Sequence, residues 1–180
     1  MWRTEPRYRL RLKTLLCPLW AMSEEFRKAL RTITYGLYVV TSKSGGELAA
    51  AAVNFLTQTS FNPPLVVVAL KRGSGLQRAV EGSRAFAVNV LAGDQKSLAA
   101  DFFKPVKVEG NSLNGHPFTL SRTLGLPILE ECPAWFECQV VEKVDQGDHV
   151  IYVGRVVDGA VVRQVPRYLV MWDTGWYYGG

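Results

Sequence analysis

The chain has few of the residues on which hydrolytic and metal chemistry are usually built. Its 180 residues include two histidines, His116 and His149, and three cysteines, Cys17, Cys132 and Cys138. No cysteine stands at a metal-ligand spacing, and no cluster of His, Asp or Glu does so either. There is no Gly-x-Ser-x-Gly elbow, and neither histidine lies in a pattern that would activate a Ser or Cys nucleophile. Hydrolysis and metal catalysis both lose ground. Cys132 and Cys138 flank the approach to an expected strand, and reduced thiols in a cytoplasmic protein are the expected state.

Long hydrophobic runs are missing as well. The apolar stretch from Leu15 to Trp20 is broken by Pro18, far short of the roughly 20 residues that span a bilayer. No small-residue cleavage site accompanies it, so neither stable membrane insertion nor a signal peptide is expected. An excess of positive charge is missing too, once the first residues are set aside. The net charge is +5, but residues 1–21 hold Arg3, Arg7, Arg9, Arg11 and Lys13 against Glu5 alone, which leaves the rest at only +1. Such a body has no basic stripe with which to track phosphates, and no nucleic-acid partner is expected. Residues 1–21 read as a basic leader outside the ordered or mature chain, with Met22 as the start and 22–180 as a single domain.

What is present is a β-rich pattern with 48% hydrophobic residues, enough for one core. Ser23-Glu24-Glu25 opens a short helix over 23–32, with Ser23 as cap and acids in the first turn. Strands are expected over 37–41, 48–56, 65–70, 85–91 and 168–172, and the continuous apolar run Leu65–Leu70 reads as buried on both faces. Helical stretches are expected from Leu76 to Glu81, ended by Gly82, and from Asp94, as cap, to Phe103. Residues 105–133 read as loops with short strands. Trp135–Val144 and His149–Asp158 form a hairpin around Asp145-Gln146-Gly147-Asp148. Many strands with only short helices between them point to a barrel. A dinucleotide fold is excluded, since Gly73-Ser74-Gly75 lacks the third glycine at the required offset and no βαβ units repeat.

Three places hold polar residues worth weighing. Asn54, Thr57, Gln58, Thr59 and Ser60 cluster before Phe61-Asn62-Pro63-Pro64, where hydroxyls and backbone N–H groups form either an anion pocket or a plain polar edge strand. Lys71, at the end of the next strand, would supply the charge. His149 opens a strand after Gly147-Asp148, which suits a hydrogen bond to a cofactor and equally suits a packed turn residue. Asn89 lies inside an apolar strand, where its amide needs partners, from neighbouring backbone or from a ligand. A chain without acid–base residues of its own often borrows its chemistry from a cofactor.

Four segments, in order and spacing, resemble the flavin reductase family. They are Gly36-Leu37-Tyr38-Val39-Val40-Thr41-Ser42, Val53-Asn54-Phe55-Leu56-Thr57-Gln58-Thr59-Ser60-Phe61-Asn62-Pro63-Pro64, Phe86-Ala87-Val88-Asn89-Val90-Leu91 and Gly147-Asp148-His149-Val150-Ile151-Tyr152-Val153-Gly154. The resemblance implies a mainly β fold, a Greek-key split β-barrel that binds FMN, with a few short helices. It implies NADH or NADPH as electron donor, a homodimer, and an oxygenase or redox protein as partner. It places Ala52, Val53, Asn54 and Phe55 along the flavin ring, and Thr57, Gln58, Thr59, Ser60, Lys71 and Ser74 around the phosphate. Asn89 would lie close by and His149 where the nicotinamide approaches, with 172–178 helping to close the site. Gly75 stands where related sequences often have Thr or Ser. Two further readings stay open: an FMN-holding electron carrier with little NAD(P)H activity, and a non-enzymatic module of the same barrel for haem or another ligand.

Overall fold

The computed structural model describes residues 23–178. The basic leader and the expected start at Met22 therefore lie outside the described residues. Helix α1 (Glu24–Leu30) stands in a unit of its own, and Thr34–Tyr178 form a second, larger unit. The helix starts as its sequence dictates, with the Ser23 hydroxyl accepting a hydrogen bond from the Phe26 N–H at 3.3 Å.

The larger unit is built on a seven-stranded antiparallel sheet. In chain order its strands are β1 (Tyr38–Ser44), β2 (Glu47–Val53), β3 (Leu56–Phe61), β4 (Pro64–Lys71), β5 (Ala85–Val90), β10 (Ala134–Val144) and β11 (His149–Val161). Their spatial order is β2-β1-β5-β10-β11-β4-β3. The outermost strands, β2 and β3, are consecutive in sequence and joined only by Asn54 and Phe55. In a flat sheet six strand spacings would hold them about 29 Å apart, whereas three residue steps reach at most about 11 Å. The sheet must therefore curl until its two edges meet at Asn54-Phe55. The inward residues pack as one cluster that includes Val40, Val66, Val68, Leu70, Phe86, Val88, Val140 and Tyr152. Helix α2 (Gly75–Ser83) adds Leu76 and Val80 to this cluster and so plugs the curl. Gly154 belongs to the same interior: a Cβ there would come within 2.6 Å of the Phe86 ring and 2.7 Å of Cys138 Cβ.

A second sheet, β6 (Val108–Glu109), β7 (Ser112–Leu113), β8 (His116–Leu120) and β9 (Pro127–Leu129), covers the outer face of β1 and β5, with α3 (Lys96–Asp101) beside it. Val39, Leu91, Leu98, Leu113, Phe118 and Leu129 form that outer core. This is why β1 and β5 are buried on both faces. β4, expected to be so, instead alternates, with Val66, Val68 and Leu70 inside and the intervening side chains half-buried.

Four other expectations change. The strand expected over 48–56 ends at Val53, and a separate polar edge strand, β3, follows the bend. Gly82 lies within α2, which ends instead where Arg84 takes a left-handed conformation and its N–H bonds Val80 O at 2.9 Å. Asp94 does not cap α3; Gln95 stands at that position without a side-chain cap, its Oε1 accepting from Ala92 N at 2.8 Å. Residues 168–172 form only isolated bridges, Ala92 with Tyr168 and Gly36 with Val170, before the short helix α4 (Met171–Thr174). The hairpin β10–β11 stands as expected, with two register shifts. Cys132 and Cys138 are free and buried, and burial pushes both thiols up to about 12. Among the described residues no helix is long and apolar enough to cross a membrane, and no group of three or more His, Cys, Asp or Glu could hold a metal ion.

Candidate cofactor site

Where the edges of the curled sheet meet, the fold leaves a cavity of about 640 Å³. Its walls are mostly apolar, from Leu37 and Ala51–Val53 on one side to Leu70, Leu76, Phe102 and Met171 on the other. Its polar groups are few and come from separate elements: Asn54 at the bend, Lys71 at the end of β4, Ser74 before α2, and His149 at the start of β11. A mostly apolar hollow with a handful of convergent polar groups is the usual form of a small-molecule or cofactor site.

Asn54 is the most informative of these. It is only 4% exposed, and its Nδ2 is buried without a hydrogen-bond partner. An unmet buried N–H costs about 1–3 kcal/mol, and here it belongs to a residue that lines the cavity. The neighbouring backbone is already occupied, since Leu56 N bonds Asn54 O and Ala69 N bonds Phe55 O, both at 2.9 Å.

The cavity lining also reaches the start of α2. The Ser74 hydroxyl accepts from Gln77 N at 3.1 Å and caps α2, and Lys71, Ser74 and Leu76 line the cavity there. Gly75 itself is exposed, and a Cβ there would meet nothing within 4 Å. Behind it a relay fixes the helix. Gly73 N donates to Gln77 Oε1 (3.1 Å), Gln77 Nε2 to the Tyr152 hydroxyl (2.7 Å), Tyr152 to Glu81 (2.7 Å), and Lys143 Nζ to Glu81 (2.7 Å). The Lys143 and Tyr152 hydrogen bonds hold the Glu81 carboxyl below its ordinary value, and burial pushes the Tyr152 phenol up to about 12.

At the rim sits an aromatic cluster. Phe55 lies against Tyr35 (5.3 Å), His149 (5.4 Å) and Tyr178 (5.6 Å). Both His149 ring nitrogens have partners: Nδ1 meets Asp148 Oδ1 at 2.9 Å and Nε2 meets the Tyr178 hydroxyl at 2.8 Å. The hydrogen bond from His149 lowers the Asp148 carboxyl, while burial, reinforced by the Asp148 charge, raises the Tyr178 phenol. Trp176, also lining the cavity, packs edge-on against Phe103 at 4.9 Å.

The structure thus brings Ala52, Val53, Asn54, Lys71, Ser74 and His149 to one cavity, with Phe55 touching its rim. It places the remaining expected residues elsewhere. Thr57 and Gln58 line a different hollow, with Tyr38, Leu56, Phe136 and Val156. Thr59 and Ser60 are on β3 and line neither; Thr59 Oγ1 bonds Leu65 O at 3.5 Å, and Ser60 O accepts from Gln58 Nε2 at 3.1 Å. Asn89 is fully buried between the two sheets. Its Nδ2 donates to Val39 O at 3.0 Å and its Oδ1 accepts from Leu129 N at 2.8 Å, so the amide rivets β9 to the main sheet. Local sequence reasoning missed Tyr35 and the reach of Phe102 and Phe103 into the site. The one legible signal was the aromatic run near the C-terminus.

Comparison with known proteins agrees with this geometry. The family model for the flavin reductase like domain matches residues 30–180, and the chain belongs to that family. Among curated relatives, a probable flavin reductase of Rhizobium meliloti (strain 1021) is 34% identical over 131 residues, which is 72% of this chain and 41% of that protein. The NADH-dependent flavin reductase StyB of Pseudomonas fluorescens is 36% identical over 132 residues, 73% of this chain and 74% of that one. The chain therefore spans less than half of the first relative and about three quarters of the second. Among solved structures, nitrilotriacetate monooxygenase component B from Mycobacterium thermoresistibile superposes with a TM-score of 0.73 at 29% identity, covering 86% of this chain and 84% of that one.

Proposed function

We propose that the chain is an NAD(P)H-dependent flavin reductase that binds FMN in the cavity at the seam of a split β-barrel. The observation that carries this reading is a mostly apolar cavity of about 640 Å³ lined by Asn54, a residue whose Nδ2 is buried without a partner. Asn54 would donate to a ring carbonyl or nitrogen, and the apolar walls would take the faces of a flat ring system. The first N–H groups of α2, with Lys71, would hold a terminal phosphate, which favours a mononucleotide at that end. A bound flavin supplies the redox chemistry, accepting a hydride from the reduced nicotinamide. Transfer between stacked rings asks the protein for proximity and orientation more than for acid–base groups, which is what the few polar residues here can provide. His149, at the rim against Phe55, would orient the nicotinamide.

Delivery of reduced flavin to an oxygenase is supported by the monooxygenase component among the solved relatives. A cytoplasmic homodimer fits the same reading, and the half-open apolar hollow lined by Leu56, Val90, Phe136 and Val156 is a surface that a second copy would cover. The deciding experiment is anaerobic stopped-flow of the FMN-loaded protein with NADH and then NADPH. Rapid loss of the yellow absorbance with either donor is expected. Slow bleaching with both, despite stoichiometric bound FMN, would overturn the reductase reading in favour of an electron carrier.

A further inference from the structure

The His149 ring is held between Asp148 and Tyr178. The Asp148 backbone is anchored, because Arg72 N bonds Asp148 O at 2.9 Å and the Arg72 guanidinium holds Gly147 O at 2.6 Å. Tyr178 is not built into a strand or helix. It follows Gly175, whose φ of +70° ends α4, and Trp176, which is held by its N–H on the Thr174 hydroxyl at 3.0 Å and by packing on Phe103. The Tyr178 ring is 47% exposed, yet it packs on Phe55 and its hydroxyl takes up His149 Nε2.

Removing that ring would leave a gap the size of one aromatic ring, with Phe55 on one wall and a free imidazole nitrogen at its edge. A flat heteroaromatic ring that carries a carboxamide fits such a gap: the ring meets Phe55, and the carboxamide meets His149 Nε2. We propose that Tyr178 is a displaceable cap on His149, a positioning residue that occupies the nicotinamide's hydrogen-bonding place and swings away beyond the anchored Trp176 when the donor binds. The proposal rests on the reductase reading, since it names how that donor enters. It predicts that the Tyr178 hydroxyl opposes donor binding rather than contributing to it.

The first test is Tyr178→Phe, which keeps the ring and deletes the competing hydroxyl. The KM for NADH or NADPH is expected to fall about five-fold, the worth of one ordinary hydrogen bond, with a smaller change in kcat. A KM that rises would show that the hydroxyl helps to hold the donor and would overturn the cap. A second readout needs no turnover. With 3-fluorotyrosine incorporated and the Tyr178 resonance assigned by comparison with Tyr178→Phe, the FMN-loaded protein is titrated with NAD⁺, which cannot reduce the flavin. The resonance is expected to move and sharpen as the ring is released. If NADH bleaches the flavin while the Tyr178 signal stays fixed under saturating NAD⁺, the reductase reading stands and the cap fails. If neither donor bleaches the flavin and NAD⁺ shifts nothing, both fail together.

Discussion

Asn54→Ala separates the cost of an unmet amide from the use made of it. The wild-type side chain is nearly fully buried with Nδ2 unpartnered. Burying a donor in that state costs about 1–3 kcal/mol, which alanine removes, while the truncated atoms border a cavity that already exists and so leave little new void. The protein without flavin is therefore expected to be at least as stable as wild type, with an equal or higher urea midpoint and an unchanged slope. FMN binding should move the other way. Losing one hydrogen bond of about 1 kcal/mol weakens binding about five-fold, read by fluorescence titration of FMN. The combination is diagnostic, since a merely structural asparagine would lose stability. Unchanged FMN affinity would refute the assignment of Asn54 to the ligand. A loss of more than about 1 kcal/mol of flavin-free stability would show that the amide already has a partner.

Other outcomes follow from the same geometry. His149→Ala should slow flavin reduction by nicotinamide more than it weakens FMN binding, and equal losses in stopped-flow and titration would count against its place at the rim. Tyr152→Phe breaks the relay from Gln77 to Glu81 behind α2 and should cost about 1–2 kcal/mol in urea unfolding, with weaker FMN binding; stability within error of wild type would remove the relay from the account. Gly154→Ala forces a Cβ against Phe86 and Cys138 and should destabilise by about 1–3 kcal/mol, visible as a lower thermal midpoint. The two buried thiols ionise near 12 in the folded chain, above their unfolded value. Their contribution is thus fully present below that unfolded value and is lost as pH rises toward 12, at about 1.4 kcal/mol per pH unit per thiol. Thiol-reactive reagents at pH 8 should find Cys132 and Cys138 silent until the chain is unfolded.

The parts of this fold that were legible in the sequence are those whose local pattern and tertiary setting agree. The β10–β11 hairpin joins two β-rich runs across a Gly-containing tetrad, so pairing follows from local chemistry. Ser23 caps α1 for the same reason. Legibility failed where distant contacts decide. Residues 57–60 read equally as an anion pocket or a polar edge strand, and pairing with β4 at the sheet edge decides for the strand. Asn89 reads as needing partners from backbone or from a ligand, with only the family resemblance placing it near the flavin; the partners are backbone groups of Val39 and Leu129, the latter supplied by a second sheet that no local pattern announces. In the site, Lys71, Ser74 and His149 were visible as residue types at strand and helix ends. Tyr35 and Phe103 were not, since their approach depends on how the sheet curls.

The bend at Asn54-Phe55 has a mechanical consequence. It is a clasp: the two free edges of the sheet are fastened at one point, and the proposed flavin site lies at that point. Any breathing of the curl must pivot there, opening widest at the far ends of β2 and β3 and least beside Val53 and Leu56. A ligand gripped at the pivot touches both edges with little leverage against it, so occupancy would quiet the whole seam from its narrowest part. Hydrogen exchange along β2 and β3 would then register cofactor loading as a gradient that steepens with distance from the clasp.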